Sequence, residues 1–118
     1  MLLIYNRPGF AEELTEQERT ELFGEVDTIM KELTESGEWV GGMGLADPST
    51  GRTVRQPADR PDIVDGPFLE SKEQFAGYAL VDCESIDRAV EIAARWPDVR
   101  LGGAVEVRAV MGDGGTEM

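Results

Sequence analysis

The chain has 118 residues, 24 acidic against 11 basic, one cysteine and no histidine, with a formal net charge of −13. That length fits one domain. The charge argues against nucleic acid and anionic membranes, which are bound through Lys and Arg, and the missing histidine excludes Ser-His-Asp triads, Cys-His pairs and imidazole metal ligands.

An apolar fraction of 41% belongs to a folded chain. Cys83 stands alone, so no intramolecular disulfide forms and a reducing compartment is expected. No apolar run approaches the roughly 20 residues of a bilayer span. The opening MLLIYNRPGF has no basic n-region and no cleavage site. The cytoplasm is the expected location.

Residues 1–6 read as a short buried strand, stopped by Arg7-Pro8-Gly9. A long helix is expected over 16–36. Thr15 with Glu18 is a capping-box pair, Leu22, Val26, Ile29, Met30 and Leu33 recur at helical spacing, and Gly37 stands at the C-terminal cap. Its glutamates Glu21, Glu25, Glu32 and Glu35 form a solvated face. The segment EWVGGMGLAD is strand-like, and its glycines mark either a close approach by backbone or ligand or a tight packing position. A turn at 48–51 leads to two short strands, RTVRQ and DIVDG, separated by a loop at 57–61. A strand over 74–82 follows. Ser85 caps a second helix whose inner stripe is Ile86, Ala89, Val90 and Ala93, closed by Trp96-Pro97. Residues 104–111 alternate as a last strand, and 112–118 form a frayed tail to a single domain over 1–111.

Two βαβ units joined by an antiparallel connection make the ferredoxin-like α+β plan, with an antiparallel sheet and helices on one face. The chain has no spare element for the other face, so a homodimer is expected.

The run Asp65-Gly66-Pro67-Phe68, followed by Glu70, Lys72, Glu73, Gln74, Gly77 and Tyr78, resembles the YCII-related family, in particular its DGPF subgroup. The segments MLLIY, GLADPSTGRTVR and VEVRAV are similar to the same subgroup. The resemblance implies a ferredoxin-like subunit that pairs into a dimeric α/β barrel. Some members of the family carry a His-Asp pair proposed as a dyad, and one branch is similar to chloromuconolactone dehalogenases. This chain lacks histidine, so that dyad does not carry over. Genes of the subgroup often neighbour those of extracytoplasmic-function sigma factors, a hint of regulation.

Asp-Gly-Pro is strong turn chemistry, and Asp65 bonding backbone amides explains the motif without a substrate. The functional alternative delivers Asp65 into the barrel cleft as a base. Lys72 pairs with Asp65 or meets an anionic ligand in that reading. Arg52 and Arg55 are expected to share a strand face, as simple surface arginines or, in the functional reading, as the holders of a carboxylate. Phe68 and Tyr78 would line the cavity, whereas Glu70 and Glu73 read as a surface cluster. Cys83 reads as a small core residue. Two function classes stay open. One is a module binding a small anionic organic ligand or a partner protein. The other is a cofactor-free enzyme of proton transfer or elimination. Neither reading calls for a metal or a cofactor.

Overall fold

The computed structural model describes residues 1–66 and 73–111. Four strands form one antiparallel sheet: β1 (Leu2–Asn6), β2 (Trp39–Gly44), β5 (Gln74–Val81) and β6 (Ala104–Val107), in the order β2-β5-β1-β6. This is the expected pair of interleaved βαβ units, with an antiparallel strand inserted between the parallel strands of each. The sheet is open within one chain, and β2 and β6 are its edges. Strands β3 (Arg52–Arg55) and β4 (Asp62–Asp65) pair only with each other, as a separate hairpin.

Helix α2 spans Glu16–Ser36 and is fixed at both ends by local chemistry. The Glu18 N–H donates to Thr15 Oγ1 at 3.1 Å, and the Thr15 N–H donates to Glu18 Oε1 at 3.0 Å. Gly37 ends it at φ 82°, which costs a residue without Cβ nothing. Helix α3 (Ile86–Ala94) starts at Ser85, whose Oγ accepts from the Arg88 N–H at 3.1 Å. Among the described residues no helix is long and apolar enough to cross a membrane.

The core lies between the helices and one sheet face. Leu2, Leu33 and Ile92 are fully buried, with Ile4, Ile29, Ala79, Ala89, Ala93 and Trp96 around them. Burial on this scale is the main force holding the layers together.

Several expectations are corrected. The inner stripe of α3 is Ala89, Ile92 and Ala93, while Ile86 and Val90 stay exposed. The helix does close at Trp96, whose N–H bonds the Ala93 carbonyl at 3.0 Å, but Pro97 then opens a further short helix, α4 (Pro97–Arg100), in whose first turn its missing N–H costs nothing. Another four-residue helix, α1 (Phe10–Glu13), buries Phe10. Strand β6 ends at Val107 rather than 111, because it pairs only with β1 and stops with that register.

Candidate functional site

Directly opposed residues of an antiparallel pair share a face, so the register sorts the side chains. Leu2, Ala79, Gly42 and Val107 form one row under the helices, and Ile4, Gly77 and Val105 the next. Leu3, Tyr78, Met43 and Glu106 form a row on the opposite face. Tyr5 and Phe75 oppose each other on that face after a register shift, which leaves Ala76 as the extra residue of a bulge. Their rings meet at 5.5 Å, inclined by 59°. The face is thus apolar, with Glu106 at its edge taking a 3.4 Å hydrogen bond from the Tyr5 hydroxyl. No described element covers it.

At the Tyr5–Phe75 end the surface sinks into a pocket of about 590 Å³. The aromatic pair is one wall, Leu45 to Pro48 another, and Arg52, Thr53 and Gly66 at the root of the β3–β4 hairpin a third. Three bonds lock these walls. The Leu45 N–H reaches the Ala76 carbonyl at 2.8 Å, the Gly66 N–H reaches the Gly51 carbonyl at 2.7 Å, and the Thr53 hydroxyl reaches the Gly66 carbonyl at 2.8 Å. Gly66 and Glu73, the described residues on either side of 67–72, both line the pocket.

The expected site residues divide. Arg52 lines the pocket, and its Nε donates to Asp65 Oδ1 at 3.1 Å across the hairpin. Asp65 stands beside the lining, with its side chain 86% exposed. Tyr78 lies on the same sheet face, further along. Arg55 opposes Asp62, and Arg52 opposes Asp65. The expectation that the two arginines share a face is therefore corrected: three residues apart on a strand of period two, they point to opposite sides. Phe68, Glu70 and Lys72 lie outside the described residues. Among the described residues no group of three or more Cys, Asp or Glu is arranged to hold a metal.

Sequence reasoning missed a second cleft, of about 450 Å³, between the first half of α2 and the helix-side sheet face. Helix α2 buries Ile29 and Leu33 near its C-terminal end but leaves Leu22, Val26 and Met30 half-exposed, so it packs closely only there. Phe10, Trp39 and Trp96 contribute aromatic wall, and Gly42 admits the Trp39 ring: a Cβ there would sit 2.9 Å from it. Asp98 lines this cleft at 7% exposure. Burial pushes its carboxyl above the ordinary range, and hydrogen bonds from Asn6 Nδ2 (3.5 Å) and its own backbone amide oppose the shift. Nothing in RWPDVRLGG separates this Asp from a surface one except the neighbouring Trp96 and Gly102-Gly103.

A third polar group is a structural staple. Arg88 grips Glu38 with two bonds of 2.9 Å, tying α3 to the entry of β2. The Arg88 guanidinium, then the Ser36 hydroxyl, bring the Glu38 carboxyl down to about 2. Burial, then the Glu38 charge, raises the adjacent Cys83 thiol, which is half-buried against the core. A raised thiol is a poor nucleophile.

The YCII-related domain family matches residues 1–112. An uncharacterized protein of Rhizobium meliloti (strain 1021) is 28% identical over 108 residues, covering 91% of this chain and 87% of the relative. A match that spans every described residue, the four-stranded sheet and the helices packed on it, makes this chain a member of the YCII-related family.

Proposed function

We propose that this protein works as a homodimer of the DGPF type, pairing its open sheet faces into an α/β barrel and holding a small organic anion in the pocket at the end of each sheet. The observation that carries the reading is the uncovered face itself. Leu3, Tyr5, Tyr78 and Leu80 are half-buried there, Phe75 is 38% exposed and Met43 67%. Contiguous apolar surface of this kind marks an interaction site. The molecule is a thin slab, 49 × 45 × 18 Å, with one helix layer on one sheet. A second copy supplies the same flat apolar face, and a two-fold pairing lets each cover the other.

The pocket volume falls in the range of small-molecule sites, and its lining combines an aromatic wall with one guanidinium, beside Glu73 and an Asp47 carboxylate already engaged by Ser49. That combination suits an aromatic or branched carboxylate. A ligand carboxylate would compete with Asp65 for Arg52. Asp65 itself is exposed, and the described residues give it none of the enclosure that a base reading needs, so binding is the favoured class. The cytoplasm remains the proposed location, consistent with the single free thiol.

Light scattering at micromolar concentration tests the assembly. Twice the 12.9 kDa chain mass is expected, and a clean monomer overturns the barrel. For the ligand, benzoate as a probe should raise the melting temperature of the wild type and not of Arg52→Gln. No rise in the wild type removes the anion.

A further inference from the structure

We propose that the cleft between α2 and the sheet is a second binding site, and that it takes an organic cation: an ammonium group carried on an aromatic or aliphatic body. The site lies on the helix side of the sheet, and its lining shares only Leu45 with the pocket on the open face.

Three observations point to a cation. The first is Asp98. It is a carboxyl with 7% of its surface exposed, and it lines a cleft of about 450 Å³. Its support is thin: the Asn6 amide at the 3.5 Å limit of a hydrogen bond and its own backbone amide. An ionised carboxylate this far from water costs free energy that such contacts offset only in part. A ligand ammonium seated against it supplies the missing counter-charge and its donors at once. The second observation is the wall. Phe10, Trp39 and Trp96 lie around the cleft, and both tryptophans of the chain are among them. Aromatic faces carry negative potential and attract cations, Trp most strongly. The third is the field of the whole molecule, whose net charge of −13 draws cations and repels anions at a distance.

One group opposes this pattern. Arg19 stands in the lining, and its guanidinium is tied to the Ala11 carbonyl at 2.9 Å on an exposed part of α2. Water screens it, whereas Asp98 is shielded by the protein. The buried charge therefore sets the preference.

The two tryptophans make the test direct, since the pocket on the open face contains none. The full chain is titrated with phenethylamine while tryptophan emission is followed. Phenylethanol and phenylacetate, matched in size, are run beside it. The amine should give a saturable change, the alcohol should bind roughly tenfold more weakly, the scale of one bond to a charged group, and the carboxylate should give no saturable change. Equal binding of amine and alcohol would reduce the cleft to an apolar slot and overturn the proposal. So would tighter binding of phenylacetate, or no saturable change with any of the three. Asp98→Asn keeps the volume and removes the charge, and should erase the preference for amine over alcohol. If Asp98→Asn fails to fold, the wild-type comparison of the three probes decides alone. Because benzoate and the dimer mass report on the other face, failure here leaves that reading standing, and the reverse holds.

Discussion

The two faces of the sheet are built from alternate residues of the same strands, yet only one is finished by the chain itself. In β1, Leu2 is fully buried and Ile4 is 8% exposed, both under the helices. Their neighbours Leu3 and Tyr5 point the other way and are half-buried. An antiparallel sheet with one wet face alternates apolar and polar residues. Here Leu2-Leu3-Ile4-Tyr5 and Tyr78-Ala79-Leu80-Val81 are apolar at every step. Such strands specify two dry faces, and α2 and α3 cover only one. Stability of the subunit is therefore written on one side, and the proposed pairing on the other.

The sharpest way to break that division is to cut into each side separately. Ile92→Ala removes a fully buried side chain from the helix side, and should cost about 3 kcal/mol in a denaturant midpoint, within the usual span for buried Ile. Leu80→Glu on the open face should leave the far-UV circular dichroism intact and convert the proposed dimer to a 12.9 kDa monomer by light scattering. A Leu80→Glu chain that unfolds, or that keeps a dimer mass, would show that the faces are not independent in this way.

A pH series sharpens the helix side. Glu38 sits near 2 in the fold against 4.5 as its ordinary value. The unfolded chain therefore takes up this proton first as pH falls. The stabilisation is complete above about 4.5 and is lost as pH drops towards 2. The midpoint difference between wild type and Glu38→Gln should shrink between about pH 6 and about pH 3. A constant difference would mean that Arg88 gains nothing from the charge. The smallest effect is expected on the hairpin. Asp65→Asn should move the midpoint by less than about 0.5 kcal/mol, as for other exposed positions, because Asp65 and Arg52 are 86% and 72% exposed. A loss above about 1 kcal/mol would restore the view of Asp65 as the anchor of its turn.

What the sequence made legible was local. The bounds of α2 follow from Thr15, Glu18 and Gly37, which act within one turn of the helix ends. The strand order follows from the succession of elements and the rules for crossovers. Less was legible where tertiary packing sets the answer. Ile86 and Val90 fit the apolar stripe of α3 as well as Ile92 does, and only the sheet decides which is buried. Helix α1 has no side-chain cap and starts from a left-handed Gly9, so it gives no signal. Of the site, Arg52 was found from its charge, in a pairing with Arg55 on one strand face that the hairpin does not make. Asp98 was not, since burial of a carboxyl is a property of the fold around it.

The order β2-β5-β1-β6 also has a consequence for how the chain is made. Leu2 pairs with Ala79 and with Val107, and β2 likewise waits for β5. At a synthesis rate of ~5–20 residues per second, the first strand emerges roughly 4 to 15 seconds before its nearest partner exists. During that interval α2 can form by itself and the β3–β4 hairpin can close, since their bonds are short in sequence. The sheet cannot. Contacts this distant also slow refolding after dilution from denaturant. The nascent chain thus carries an unpaired Leu2-Leu3-Ile4-Tyr5 segment through most of its elongation, and it is at that stage that the acidic stretch from Glu12 to Glu38 keeps neighbouring chains apart.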